Sequence, residues 1–171
     1  RNALWGRLVE HIEARYGAAS RKADKLALTQ RLAALHEGPL DDADGAARWH
    51  QQVLTLNPVE QGALNFCVER FSATEDWPAL VKVYESALRA RNRGGDQAAM
   101  LVQIAMLLWK KMGDLKAAEA YFKRIKLNEP RNPLMLTFYS EFYTEKEDWK
   151  RLLGVLQTRQ AAEQKTERKV E

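Results

Sequence analysis

A single cysteine, Cys67, occurs in 171 residues, so an internal disulfide is excluded. It lies between Phe66 and Val68 with no cationic neighbour, which marks a small buried hydrophobe rather than a reactive thiol. No apolar run approaches the ~18 residues that a membrane-spanning helix needs. β-Branched residues are scarce, and no stretch sustains the period-two alternation of a half-buried strand. The phosphate-cradling patterns G-x-x-x-x-G-K-S/T and G-x-G-x-x-G are missing, as is the G-x-S-x-G nucleophile turn. His11, His36 and His50 fall in different segments, with no H-E-x-x-H and no Cys/His pairing that would suit zinc. Asp41, Asp42 and Asp44 lack the ligand spacing of a calcium loop and fit instead as favourable charge at a helix start. The expectation is a non-catalytic protein without metal or cofactor.

What is present is the profile of a folded, soluble protein: 29% charged residues, 46% hydrophobic ones and a net charge of +4. The basic groups Arg21, Lys22 and Lys25, then Lys123, Arg124 and Lys126, then Lys165, Arg168 and Lys169, could touch phosphates. Acidic residues lie close to the first and last groups, and aromatics are not interleaved with the charges, so solvated helix faces are expected rather than a nucleic-acid surface. The chain begins at Arg1 rather than Met and shows no signal peptide. A piece of a longer cytoplasmic polypeptide is the expectation, without membrane insertion.

Apolar periodicity reads as helix throughout. Nine segments are predicted, over Asn2–Tyr16, Lys22–Glu37, Asp42–Leu56, Val59–Ser72, Trp77–Arg91, Gln97–Met112, Leu115–Leu127, Pro133–Glu145 and Trp149–Gln164. Gly17, Gly38-Pro39, Asn57-Pro58, Gly94-Gly95, Gly113-Asp114 and Asn128-Glu129-Pro130 mark the breaks. Short loops make neighbouring helices antiparallel. The reading is one helical domain over residues 1–164 and a polar, fraying tail over 165–171.

A long internal period runs through these segments. Trp5, Trp77 and Trp149 are each 72 residues apart, and Glu75-Asp76-Trp77 matches Glu147-Asp148-Trp149. Leu8, Leu80 and Leu152 follow each Trp by three residues; Ile12, Tyr84 and Leu156 follow by seven. The period splits into two hairpins, with Leu8, Ala46, Leu80, Ala118 and Leu152 equivalent at spacings of 38, 34, 38 and 34. Stacked units of this kind bury a face that none could bury alone. Recurrence at one position favours the tryptophans as plugs between hairpins over ligand anchors. Trp109 has no counterpart at Glu37 and is expected near an open surface.

These residues carry a likeness. Leu64-x2-Cys67-Val68-x2-Phe71 followed by Leu80-x3-Tyr84 and Ala87 resembles the 34-residue helix–turn–helix of the tetratricopeptide repeat family. Leu136-x2-Tyr139-Ser140-x2-Tyr143 with Leu152-x3-Leu156 keeps the same spacing. Ile104-Ala105-x2-Leu108, Ala118-x3-Phe122 and Pro130 fit with one extra residue before the turn, and Leu32-Ala33, Ala46-x3-His50 and Pro58 match least well. Ala33, Val68, Ala105 and Ser140 stand where the family has Gly, so paired helices should sit slightly farther apart. About four repeats result, preceded by a half repeat at Asn2–Tyr16.

The resemblance implies an all-α, right-handed solenoid of antiparallel hairpins. It further implies a protein–protein interaction scaffold whose ligand lies along the first helix of each repeat. Carried over by helix face, that groove would use Asn65, Glu69, Gln103, Met106, Thr137 and Glu141, with Trp109 at its edge. Glu69 and Glu141 would repel a peptide's C-terminal carboxylate, so an internal peptide segment or a folded partner is expected. The alternatives are an RNA-associated repeat of the half-a-TPR type and a module that self-associates through its end helices.

Overall fold

In the computed structural model of the protein, residues 2–90 and 96–167 are described, with side chains at 4–90 and 97–162. Among these residues the fold is all-α, without strands. The helices are α1 (Asn2–Ala18), α2 (Lys22–Glu37), α3 (Ala43–Leu56), α4 (Gln61–Ala73) and α5 (Trp77–Ala90). They continue with α6 (Asp96–Met106), a π-helical turn at Leu107–Lys111, α7 (Leu115–Asn128), α8 (Pro133–Glu145) and α9 (Trp149–Glu167). The expected nine segments are therefore present, with shifted ends. Asp42 and Glu60 cap α3 and α4 from outside instead of opening them. Helix α9 extends beyond Gln164 to Glu167. The expected Gly94-Gly95 break, the end of the fifth segment at Arg91 and the Arg168-Lys169 tail lie outside the described residues. The chain divides into two compact units, Arg1–Gly94 and Gly95–Glu171.

One turn design closes every hairpin. Asp41, Glu75, Gly113 and Glu147 have φ of 51°, 55°, 68° and 54°, the left-handed region. Each is followed by an aspartate that caps the second helix. Asp42, Asp76, Asp114 and Asp148 accept hydrogen bonds from the N–H groups of Gly45, Ala79, Ala117 and Arg151 at 2.9–3.1 Å. The N–H of each aspartate donates back to the first helix, to the carbonyls of His36, Phe71, Leu108 and Tyr143, at 2.8–2.9 Å. The spacings of these aspartates, 34, 38 and 34, repeat those of Ala46, Leu80, Ala118 and Leu152.

The structure also places the extra residue of the third hairpin. It is absorbed by the π turn, where the Met112 N–H donates to the Leu107 carbonyl at 3.0 Å. The bond 72 residues earlier is the same: Leu40 N–H to Leu35 carbonyl at 3.1 Å. Hairpins one and three thus share a longer turn, and hairpins two and four a shorter one. Asp114→Ala should cost about 1 kcal/mol in urea denaturation, the usual loss of an aspartate cap. An unchanged midpoint would mean that the cap contributes nothing.

Unit Arg1–Gly94 is built around α2 and α3. Val9 and Ile12 of α1 pack on Leu32 and Leu35 of α2, with Trp5, Leu8, Leu28, Leu40 and Trp49 around them. Along α4, Leu64, Cys67 and Phe71 are buried, and the exposed carboxylate of Asp44 holds Arg70 at 2.6 Å. Cys67 is fully buried, and burial pushes its thiol up to about 11. The inert reading of this cysteine therefore holds.

Unit Gly95–Glu171 has an aromatic core. Phe122 and Phe138 are fully buried and stacked with centroids 4.2 Å apart. Phe142 stacks on Phe138 at 5.3 Å, and Tyr139 meets Phe138 edge to face at the same distance. Trp149 departs from expectation. Trp5 and Trp77 are half-buried, but Trp149 is 61% exposed, so it is no plug. Trp5 packs into the cluster formed by α1 and α2. No described helix plays the part of α2 against α9.

Candidate functional site

The candidate surface is the outward face of the first helices. In unit Arg1–Gly94, α4 presents Asn65 and Glu69, both exposed, because they lie off the buried stripe of Leu64, Cys67 and Phe71. The Gln61 amide donates to Asn65 Oδ1 at 2.8 Å. In unit Gly95–Glu171, α6 presents exposed Gln103 and half-buried Met106. Helix α8 presents exposed Glu141 and half-buried Thr137, whose hydroxyl donates to the Pro133 carbonyl at 2.9 Å. Lys110 joins the π turn to α8. Its Nζ lies 3.1 Å from Glu141 and 3.5 Å from the Trp109 ring centroid.

Trp109 is a correction. Expected at the groove edge, it is 6% exposed and packs edge to face on Phe122 and Phe138, with centroids at 5.9 and 5.4 Å. It follows Ala105 by four residues and so continues the buried face of α6. The small Ala105 and Ala118, both fully buried, belong to the same core. Lys110, not Trp109, is what this segment offers to solvent.

The other polar groups singled out in the sequence take structural positions. Asp42 caps α3 and also meets His36 Nδ1 at 2.9 Å. The Gly45 N–H, and then the His36 hydrogen bond, hold its carboxyl below the usual aspartate range. A depressed folded value means that this contribution is complete above the ordinary aspartate range. It is lost as pH falls through the depressed value. His50 lies 3.1 Å from Glu37 and stacks on Phe66 at 4.2 Å. Among the described residues, no group of three or more His, Cys, Asp or Glu could hold a metal. Arg21 pairs with Asp24 at 2.8 Å and Lys123 with Glu119 at 3.0 Å. Lys126 sits over the Tyr139 ring at 5.6 Å. The third basic group lies outside the described side chains. No described helix is long and apolar enough to cross a membrane.

Sequence reasoning missed two features. The fourfold aspartate cap was legible in the 34, 38, 34 spacing. A crevice between α7 and α9 was not, because it depends on how far apart two helices stand. A scan against models of known protein families finds no match, and a search of curated proteins finds none either.

Proposed function

We propose that this chain is a non-catalytic protein–protein interaction module of the tetratricopeptide type, engaging a peptide segment or a folded partner along its first helices. The observation that carries this reading is a polar face repeated with the 72-residue period. Asn65 and Glu69 on α4 recur as Thr137 and Glu141 on α8. Asn65, Glu69 and Glu141 are exposed. Exposed side chains that the core does not need are free to vary for a partner, and interfaces place most of their energy in a few such positions. Their acidic character suits an internal segment with basic or neutral side chains.

The test is partner capture by the chain and by charge-reversal variants, with stability measured alongside. Glu69→Lys and Glu141→Lys should each weaken capture by about tenfold or more, equivalent to ~1.4 kcal/mol or above. Their melting temperatures should change little, because exposed ion pairs contribute at most about 1 kcal/mol. Lys82→Glu and Lys123→Glu, on second helices, should leave capture intact. Loss of capture in only the second pair would refute the first-helix surface.

A further inference from the structure

The two units carry the same crevice between successive second helices. In unit Arg1–Gly94 it runs between α3 and α5, where Leu54, Ala79, Lys82 and Val83 line about 370 Å³. In unit Gly95–Glu171 it runs between α7 and α9 and encloses about 380 Å³. There Lys126, Arg151, Gly154 and Val155 occupy the positions 72 residues further on. The volumes agree, but the chemistry differs at nearly every equivalent position.

Depth differs first. Helices α3 and α5 touch, whereas α7 and α9 do not among the described residues. Cys67 is the small residue beneath the first crevice, and its equivalent beneath the second is Tyr139. A tyrosine needs more room than a thiol, which accounts for the wider separation. The second crevice consequently reaches helix α8, with Leu136, Tyr139 and Tyr143 as its floor. Charge differs next. Asp76 and Lys82 line the first crevice with opposite signs, while Lys126 and Arg151 line the second and no carboxylate does. Lys126 Nζ is 5.6 Å from the Tyr139 ring centroid, and the Arg151 guanidinium is 5.9 Å from that of Tyr143. Arg151 is exposed and only loosely paired with Asp148, at 3.4 Å. Finally, Gly154 replaces Lys82, and a Cβ there would meet nothing within 4 Å.

We infer that the α7–α9 crevice is a second binding site, one that takes an acidic peptide segment. An apolar side chain of the segment would fill the space beside Gly154 and Val155. A neighbouring carboxylate would lie between Lys126 and Arg151. RNA fits less well, because Tyr139 is buried, with Tyr143 stacked on it at 5.4 Å and Lys126 over it. Stacking on bases needs an open ring face. This site adds to the first-helix surface and does not depend on it, so either can fail alone.

The test titrates the isotope-labelled chain with an acetylated, amidated hexapeptide holding Glu between Leu and Phe. The same peptide with Gln is the control, and an oligouridylate is a third arm. Amide shifts should centre on Lys126, Tyr143 and Arg151, with the Gln peptide binding about tenfold more weakly. Gly154→Lys restores the side chain of the sister crevice and should abolish these shifts while leaving the melting temperature unchanged or higher. Lys126→Leu combined with Arg151→Ala should equalise the two peptides. Equal affinities for the unmodified chain, shifts elsewhere or none, insensitivity to Gly154→Lys, or tighter binding of the oligouridylate would each overturn the proposal.

Discussion

Phe138→Ala should cost about 3–5 kcal/mol of unfolding free energy, the range for removing a buried phenylalanine. Phe138 has no solvent exposure and touches Trp109, Phe122, Tyr139 and Phe142 in ring contacts. It sits on α8 and binds rings from the π turn and α7, so its loss opens a cavity where three segments meet. Collapse into that cavity is limited, because its neighbours are flat rings already stacked or edge-on. Trp149→Ala, by contrast, should change stability by no more than about 0.5 kcal/mol, as surface substitutions do. Trp149 is the larger side chain and belongs to the most conspicuous repeat in the sequence. Urea denaturation of the two variants separates burial from recurrence. A large loss at Trp149 would mean that something covers it in solution.

Gly45→Ala is expected to cost about 2–3 kcal/mol, an overpacking effect with partial loss of a helix cap. A Cβ at Gly45 would collide with His36 Nδ1 and Asp42 Oδ2. Those atoms are themselves bonded at 2.9 Å, and His36 is buried, so the ring has little room to retreat. The same position in the other three turns is Ala79, Ala117 or Arg151, and a side chain is tolerated there. In those turns the residue that meets the capping aspartate's N–H is Phe71, Leu108 or Tyr143 rather than a histidine. Glycine is therefore required by the His36–Asp42 pair, not by the turn. Combining Gly45→Ala with His36→Ala should lose clearly less than the sum of the two single changes. Strict additivity would show that the collision is not with His36.

How much of this was legible beforehand follows from the kind of interaction involved. Helices and turns are local: apolar spacing, Asp before each second helix and Gly113 at a left-handed position are all written in consecutive residues. The all-α class and the hairpin boundaries therefore came through within a few residues. Burial depends on neighbours distant in sequence. Trp109 and Trp149 were misjudged for that reason. One continues a buried stripe and meets Phe122 and Phe138, while the other recurs in sequence but meets no covering helix among those described. The α7–α9 crevice is harder still to anticipate. It arises because Tyr139 stands where the sister unit has Cys67, and the consequence appears in the separation of two other helices. On the candidate surface, Asn65, Glu69, Gln103 and Glu141 are exposed as their spacing implied, and only Trp109 is wholly lost to the core.

The most direct measurement is photo-crosslinking from single positions of the intact chain. With benzoylphenylalanine placed at Glu69 or at Gln103, the first-helix surface predicts covalent capture of one and the same partner from each site. Placed at Arg89 of α5 or Lys116 of α7, both exposed and outside the crevice, the reagent should capture nothing above background. Crosslinks formed from Arg89 and Lys116, with none from Glu69 or Gln103, would contradict the account.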